Sequence, residues 1–283
     1  MKVIKRTLKT VLIIAAFVLL ALVINEKINN KVFVREYTVS DSKIPSAFDG
    51  YKIMVISDLH EAPFAQQIIK HIYLTNPDMI AFVGDMVQLP YSDMYQVKEI
   101  ADAVKNIPMY AVTGNHESQG DDLYNIVQRL WACNITPLDG YSIPIYRENT
   151  SIRLIGMPDP ACDVPQETHF ENMRGIVRNN MGDEDEYTVL LNHRADMYPE
   201  LKDTGVDLIL SGHLHGGIVR LPFVGGVIGR EEHGRPLFPE YEYGYCKEGN
   251  SATMIVSGGC DKNPDKKRCF NPPEVVVVTL SAN

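Results

Sequence analysis

Short apolar runs alternate with amphipathic stretches along most of the chain, and this alternation predicts its secondary structure. Apolar positions recur with helical period at residues 64–75, 94–106, 121–132 and 171–181. Short runs rich in β-branched residues, bounded by Gly, Asp, Asn or His, predict buried strands at residues 51–57, 79–84, 109–114, 151–156, 187–192, 206–211, 253–259 and 275–280. Strands and helices in alternation are typical of an α/β fold.

The pattern changes after Gly216. Residues 218–246 lack helical period and are rich in Gly, Pro and aromatic residues, which predicts a long loop or an irregular hairpin. Its portion from Leu221 to Tyr245 contains Phe223 and Phe238. This portion either faces lipid or gates substrate as a flap, or it packs over the edge of the sheet, and the sequence leaves both readings open.

The N-terminus carries an uncharged apolar segment, residues 10–24, preceded by four basic residues. A spanning helix needs roughly 20 residues, and Leu8 with snorkelling lysines extends the segment toward that length. No convincing small-residue cleavage site follows it, so an uncleaved anchor is favoured over a cleaved signal peptide or a buried helix. The basic residues before the segment favour a cytoplasmic N-terminus.

These features predict a single-pass protein of the cell membrane. Residues 1–36 are expected to hold a basic stub, a signal anchor over about residues 8–28 and a short linker. Residues 37–283 are expected to form one extracytoplasmic domain, since 283 residues at 45% hydrophobic content can bury a full core.

Charge and cysteine content restrict the function. Residues 1–36 hold seven Lys/Arg against two Asp/Glu, a net charge of +5. Since the whole chain has a net charge of −9, the remaining residues carry −14. An acidic domain of this kind is not expected to bind nucleic acid. The five cysteines form no C-x-x-C pair, and their odd number prevents complete internal pairing. Cys260 and Cys269 are either disulfide-bonded or unpaired.

Residues with side chains able to bind metal come directly after the carboxyl ends of several predicted strands. Because ligands bind at the carboxyl ends of strands in α/β sheets, these residues are expected to converge. Residues two apart in an extended segment face the same way, so Asp58 with His60, and His213 with His215, are expected to share a pocket. The residues concerned are Asp58, His60, Asp85, Asn115, His116, Glu117, His193, His213 and His215.

The chemistry of this set favours a particular class of ion. Carboxylate, imidazole and amide oxygen together suit divalent Mn, Fe or Zn better than Ca. The absence of cysteine from these positions argues against a structural zinc site. Neighbouring glycines such as Gly84 and Gly114 permit the close backbone approach that a crowded site requires.

Five separated motifs carry a resemblance to a known family. They are D-x-H at 58–60, G-D at 84–85, G-N-H-E at 114–117, a lone His193 after a strand, and G-H-x-H at 212–215. In this order they resemble the calcineurin-like metallophosphoesterase superfamily, and from Tyr51 to the end the chain is similar to its membrane-associated bacterial phosphoesterases. The resemblance implies a layered β-sheet sandwich flanked by helices, with a dinuclear metal site at the C-terminal strand ends.

The resemblance also implies roles for individual residues. It assigns one ion to Asp58, His60, Asp85 and His215, and the other to Asp85, Asn115, His193 and His213, with Asp85 bridging the two. Such ions lie about 3.5–4 Å apart, and a hydroxide that bridges them attacks phosphorus in line. His116 is expected to protonate the leaving group or contact the phosphoryl oxygen, and Glu117 to orient His116.

The expected function is metal-dependent hydrolysis of a phosphodiester or of a lipid- or cell-wall-linked phosphate. The alternatives are a nucleotide-type phosphodiesterase, a phosphomonoesterase, and a silent metal-binding scaffold. A scaffold need keep neither Asp85 nor His116, so their presence favours an active enzyme. Arg220, Arg230 and Arg268 either contact substrate anions or are solvated.

Overall fold

A computed structural model describes residues 2–89, 93–120, 122–160, 166–221, 223–229, 237–262 and 268–283. Arg230 and Cys162 lie outside these residues. The helices are α1 (Lys2–Asn29), α2 (Ala65–Thr75), α3 (Tyr95–Ala103), α4 (Asn115–Ser118), α5 (Leu123–Ala132), α6 (Gln166–Asn180) and α7 (Tyr198–Leu201). The strands are β1 (Phe33–Asp41), β2 (Lys52–Ile56), β3 (Met79–Val83), β4 (Met109–Val112), β5 (Ile135–Pro137), β6 (Ser142–Arg147), β7 (Thr150–Met157), β8 (Thr188–Arg194), β9 (Leu208–Gly212), β10 (Val219–Leu221), β11 (Gly225–Ile228), β12 (Gly244–Cys246), β13 (Thr253–Val256) and β14 (Glu274–Ala282).

Two six-stranded sheets form the body of the domain. The first has the order β1-β14-β2-β3-β4-β5 and the second the order β12-β13-β9-β8-β7-β6. Strands β2, β3 and β4 run parallel to one another, as do β7, β8 and β9. The carboxyl ends of the strands within each of these parallel sets therefore lie at one edge, where loops carry side chains toward a common site.

The central strands of the sheets are covered on both faces, which explains why strands such as β3 are apolar throughout. Along β2, Ile53 and Val55 pack in the layer between the two sheets. The alternate residues Met54 and Ile56 pack against α2, α3 and α5 on the outer face. Helices α6 and α7 cover the outer face of the second sheet. The predicted layered α/β sandwich flanked by helices is confirmed.

The first strand was not among the predicted elements. β1 begins at Phe33 and pairs in parallel with the whole of β14, so the expected boundary between linker and domain at residues 36 and 37 falls inside it. Charged and hydroxyl side chains are mixed with apolar ones in β1 without regular alternation, and most of the strand is incompletely buried. Its long-range partner, β14, determines its structure, and that partner lies more than 200 residues away.

Helix α1 is long and apolar enough to cross a membrane, and its apolar window is not buried in the domain. Its last turns contact the domain through two asparagines. Asn29 Nδ2 donates to the carbonyl of Arg268 at 2.6 Å, and the backbone N–H of Phe270 donates to Asn25 Oδ1 at 2.6 Å. The end of α1 is thus joined to the segment that precedes β14.

The predicted irregular hairpin is present in part. β10 and β11 pair in antiparallel fashion with a register shift, and β12 joins the edge of the second sheet. Cys260 and Cys269 are free thiols, so the unpaired alternative holds in this structure. Cys260 is buried, and its thiol donates to the carbonyl of Glu274.

Candidate metal centre

The metal-competent residues lie at the carboxyl ends of five strands, as the sequence predicts. Asp58 and His60 follow β2, and Asp85 follows β3. Asn115 and His116 begin α4 after β4, His193 is near the end of β8, and His213 and His215 follow β9. The first three strands belong to one sheet and the last two to the other. The site therefore forms where the two layers of the sandwich meet.

The local backbone differs from the extended conformation expected for the paired residues. Asp58 and His60 have φ of 49° and 45°, and His213 and His215 have φ of 74° and 51°. These are left-handed conformations, which are unfavourable for residues other than glycine and cluster at functional sites. Tight turns beyond the strand ends, and not strand alternation, therefore direct these side chains into one pocket. Leu214, between the two histidines, packs in the core.

The first group of side chains able to hold an ion comprises Asp58, His60, Asp85 and His215. Each offers one ligand atom, and all four atoms lie within 4.8 Å of one another. His60 Nε2 lies 3.5 Å from Asp85 Oδ2, and His215 Nε2 lies 3.4 Å from Asp58 Oδ1. Three of the four are buried.

The second group comprises Asp85, His193 and His213, all buried and within the same 4.8 Å limit. His193 Nε2 lies 3.4 Å from Asp85 Oδ2 and 3.2 Å from His213 Nδ1. Asp85 Oδ2 thus contacts an imidazole of each group. The geometry provides two adjacent sites that share one carboxylate.

Unpartnered polar atoms indicate that the pocket is built for cations. Both ring nitrogens of His60 and Oδ1 of Asn115 are buried without a hydrogen-bond partner among the described residues. Buried polar atoms of this kind are rare unless a ligand satisfies them. Two carboxylates, four imidazoles and an amide oxygen match the donor preference of Mn, Fe or Zn. The residues therefore fit a pair of divalent ions, and the ion's identity is not determined by them.

In the absence of metal, burial and neighbouring charges determine the protonation states of the histidines. Burial lowers the pKa of His60 to about 4, so its ring is neutral and able to ligate. Burial also opposes the charged form of His193, but the Asp85 carboxylate outweighs it and raises the pKa to about 10. The imidazoles in turn hold the pKa of Asp85 well below its usual value despite its burial. A cation bound between Asp85 and His193 would replace that proton.

Hydrogen bonds orient the histidine rings. His193 Nδ1 lies 2.8 Å from the carbonyl of Val83, which leaves Nε2 to face Asp85. His215 Nδ1 lies 2.8 Å from Asp261 Oδ1. Arg268 donates from Nε to the same carboxylate at 2.8 Å, and a second of its nitrogens also donates to Asp261. The rings of His193 and His215 are thus each held with Nε2 toward the pocket.

Asp261 was not predicted to take part in the site, and Arg268 was predicted only to contact substrate anions or to be solvated. Arg268 is buried against Asp261, so neither predicted role, anion contact or solvation, describes it. Arg268 and His215 hold the pKa of Asp261 well below its usual value although burial opposes this. The sequence did contain a signal for Asp261. This residue follows the predicted strand at residues 253–259, just as the predicted ligands follow their own strands.

A second pair of unpredicted residues lies beside His213. Arg194 Nε donates to Asp159 Oδ2 at 2.7 Å, and Arg194 Nη1 lies 3.3 Å from His213 Nε2. Asp159 is buried, and it also accepts from the hydroxyl of Ser118. Arg220, by contrast, lies over the ring of Tyr243 with its guanidinium carbon 3.9 Å from the ring centroid.

His116 lies at the edge of the two groups. Its ring packs edge-on against that of His60 with centroids 4.4 Å apart, and it is only partly buried. The N–H of Leu89 points at His116 Nδ1 over 3.4 Å, so in the neutral ring the proton lies on Nε2. In this tautomer Nε2 is the nitrogen of the ring that carries the N–H donor.

Glu117 is fully buried, and its hydrogen bonds differ from the predicted role of orienting His116. Oε2 accepts from the backbone N–H of Asp85 at 2.8 Å and of Gly114 at 2.7 Å. Oε1 accepts from the N–H of Val87 at 2.9 Å. Burial, together with the charge of Asp85, raises the pKa of Glu117 to about 7. Through these three amides the carboxylate joins the loop after β3 to the loop after β4.

Close packing explains the glycine of the G-D motif. Gly84 has φ of +76°, and a Cβ added to it would lie 2.4 Å from His193 Nδ1 and 2.8 Å from the Cα of Gly114. Any side chain would displace the histidine or the neighbouring loop. The predicted need for close backbone approach is met at this position.

Comparison with known proteins agrees with this geometry. The model of the family described as calcineurin-like phosphoesterase matches residues 51–217, more than half of the chain. The chain is 28% identical over 258 residues to the uncharacterized metallophosphoesterase YkuE of Bacillus subtilis, covering 87% of this chain and 85% of that protein. It is 28% identical over 189 residues to phosphodiesterase YaeI of Escherichia coli, covering 62% of this chain and 64% of that protein.

A transmembrane protein with a metallophosphoesterase domain from Bos taurus is 26% identical over 190 residues, covering 62% of this chain and 42% of that protein. The family match includes all five motifs and every candidate ligand. With two ligand groups sharing Asp85 at the strand ends, the chain belongs to the calcineurin-like phosphoesterase family, as a hydrolase acting on phosphoric esters.

Proposed function

We propose that this protein is a membrane-anchored, dinuclear-metal-dependent hydrolase of a phosphodiester or of a lipid- or cell-wall-linked phosphate. The observation that carries the proposal is the sharing of Asp85 by two groups of buried ligands. Paired sites with a common carboxylate serve in-line attack on phosphorus, because two cations can contact the attacking and the leaving oxygen together.

The ligand assignment is part of the proposal. Asp58, His60, Asp85 and His215 would hold one ion, and Asp85, Asn115, His193 and His213 the other. Asn115 is included because its buried Oδ1 lacks a partner among the described residues. Two ions bound here would supply a nucleophilic hydroxide at neutral pH and neutralise charge on the phosphoryl oxygens.

His116 would act as the general acid. Its Nε2 carries a proton when Leu89 donates to Nδ1, and the ring borders His60 without belonging to either ligand group. A donor in this place can protonate the departing alkoxide or bind a phosphoryl oxygen. Its backbone N–H also donates to Asp85 Oδ1 at 2.8 Å, which fixes the shared carboxylate relative to the ring. Glu117 would be a positioning residue that holds both loops.

The N-terminal helix would be an uncleaved anchor, with the catalytic domain outside the cytoplasm. The support is the exposed apolar length of α1, the basic residues ahead of it, and the similarity to a protein described as transmembrane. The domain that begins with the sheet would then stay beside the membrane on the far side from the basic stub.

Diester cleavage is favoured over the alternatives by similarity to YaeI, a protein described as a phosphodiesterase. A nucleotide-type diester and a phosphomonoester remain the alternative substrates. A silent scaffold is disfavoured because the chain keeps both the shared Asp85 and the donor His116.

The test compares two variants of the full-length protein in detergent, with Mn²⁺ supplied and a chromogenic phosphodiester as substrate. Asp85→Ala is expected to lose bound metal and turnover together. His116→Ala is expected to keep its metal and lose turnover by about 10²–10⁴-fold, the usual contribution of a general acid. His169→Ala, a half-buried histidine of α6 outside both ligand groups, is the matched control and should behave as the parent. Unchanged turnover in a folded Asp85→Ala variant would contradict the proposal.

A further inference from the structure

The hairpin of β10 and β11, together with residues 237–238 that bond to it, carries an apolar surface that the described residues leave exposed. The apolar hairpin surface consists of Leu221, Phe223, Val224, Ile228, Leu237 and Phe238. All six side chains are exposed, and Phe223 at the turn is 109% exposed against 60% for Val224. Leu237 pairs with Ile228 across an isolated bridge, so these two residues lie side by side at the end of β11. Contiguous exposed apolar side chains indicate a contact surface rather than ordinary surface composition.

This surface is close to the metal centre along the chain and in space. Val219 begins β10 only four residues after the ligand His215. The N–H of Ile218 donates to the carbonyl of Ile228 at 2.7 Å, which closes the hairpin next to the G-H-x-H motif. Asn271 Nδ2 donates to the carbonyl of His215 at 2.7 Å. The base of the hairpin and the ligand loop thus share their supporting contacts.

The same supporting segment also holds the end of α1. The N–H of Cys269 donates to the carbonyl of Ile218, and the N–H of Arg220 donates to the carbonyl of Cys269, both at 2.9 Å. On either side of Cys269, the Arg268 carbonyl and the Phe270 N–H bond to Asn29 and Asn25 of α1. Residues 268–270 therefore connect the hairpin directly to the last two turns of the membrane-competent helix.

We propose that the apolar hairpin surface is a second membrane contact, resting in the boundary between headgroups and acyl chains of the bilayer that α1 crosses. The end of α1 is the point where the chain leaves the hydrocarbon region. A hairpin bonded to the segment that caps this end lies at the depth of the interface. Apolar and aromatic side chains on such an element enter the bilayer by about 5–10 Å. Lipid is the occupant because the hairpin is hydrogen-bonded, through residues 268–270, to the end of the helix that is apolar enough to cross a membrane.

Two contacts on one side of the domain fix its orientation. A single helix leaves the domain free to rotate about its exit point, whereas a helix and a hairpin joined at residues 268–270 do not. The ligand loop with His215, which ends four residues before β10, then lies on the side of the domain that is next to the bilayer. If the proposed function holds, its substrates are phosphate esters presented at the membrane surface.

The test uses tryptophan fluorescence in the full-length protein reconstituted into phosphatidylcholine vesicles with bromine-labelled acyl chains. The chain contains one tryptophan, Trp131, so Trp131→Phe provides a silent background. Phe223→Trp and Phe238→Trp, made separately in this background, place reporters on the surface. Tyr146→Trp is the matched control, since Tyr146 is 74% exposed and lies on β6 at the outer edge of the second sheet.

Both surface reporters are expected to lose about half or more of their emission in brominated vesicles relative to unbrominated ones, as for rings at the acyl boundary. The control reporter should keep its emission. Emission of both surface reporters equal to that of the control, in protein whose anchor is inserted, would overturn the proposal. The second reporter keeps the test decisive if one variant fails to fold. Quenching is measured without substrate turnover, so it tests the membrane contact even if the proposed hydrolysis is not observed.

Discussion

The carboxylate of Asp261 lies 2.8 Å from Nδ1 of His215, and through this contact a residue outside the five motifs helps to build the metal centre. Arg268 pairs with the same carboxylate and also donates to the carbonyl of His215 at 3.4 Å. The ligand ring is thus fixed from two directions. Partners of this kind set ring orientation and ligand basicity.

Asp261→Asn is expected to weaken Mn²⁺ binding by about 10–100-fold, the usual effect of losing a partner behind a ligand. The cause is loss of the negative charge that supports His215 and pairs Arg268. Titration of the metal-free protein with Mn²⁺ measures the change directly. Asp102→Asn, in an exposed pair with Lys98, is the control and should bind as the parent. Equal affinity in both variants would count against a role for Asp261.

Gly84→Ala is expected to prevent binding of the ion that Asp85, His193 and His213 would hold, because the new Cβ would lie 2.4 Å from His193 Nδ1. Metal content by mass spectrometry should fall from two ions per chain toward one. Gly140→Ala is a matched control, since Gly140 has φ of +77° but a Cβ added there would meet no atom within 4 Å. Loss of metal in both variants would assign the effect to backbone strain alone.

Glu117→Gln is expected to destabilise the domain as well as to lower activity. A carboxylate can accept from three backbone N–H groups, whereas the amide must turn its NH₂ toward at least one of them. An unsatisfied buried donor costs about 1–3 kcal/mol, which for a domain of this size lowers Tm by roughly 2–10 °C. Glu184→Gln, at an exposed position, should leave Tm unchanged. An unaltered Tm in Glu117→Gln would refute the joining role.

Asp139 is expected to make stability depend on pH. Burial raises the pKa of Asp139 to about 6, although two hydrogen bonds from Thr113 oppose this. Between pH 3.8, the ordinary pKa of Asp, and pH of about 6, the folded state binds a proton that the unfolded state has released. The free energy of unfolding therefore falls as pH rises through that window. The full fall amounts to ~3 kcal/mol.

Asp139→Asn keeps an acceptor oxygen for Thr113 and cannot titrate. We therefore expect Tm of this variant to fall less than that of the parent between about pH 4 and 6. Asp185→Asn, at an exposed position, should follow the parent. If Tm instead rises with pH through this window, and by the same amount in the parent and in Asp139→Asn, groups other than Asp139 control the pH dependence of stability.

The sequence by itself determined the chemistry of the site and the class of fold. Strand and helix period are local properties of the chain, so runs such as 79–84 and 206–211 identify buried strands without further information. Ligand types are also local, and the rule that they gather at carboxyl strand ends linked Asp58 to His215 across more than 150 residues.

Only the tertiary structure decided how those residues are held. The left-handed turns at Asp58 and His213, the burial of Arg268 against Asp261, and the three amides bound by Glu117 depend on loops brought together from the ends of different strands. The strand β1 and the bonds from Asn25 and Asn29 to residues 268–270 depend on partners more than 200 residues distant. Such contacts have no local signature, because each partner's sequence is compatible with many neighbours until the fold selects one.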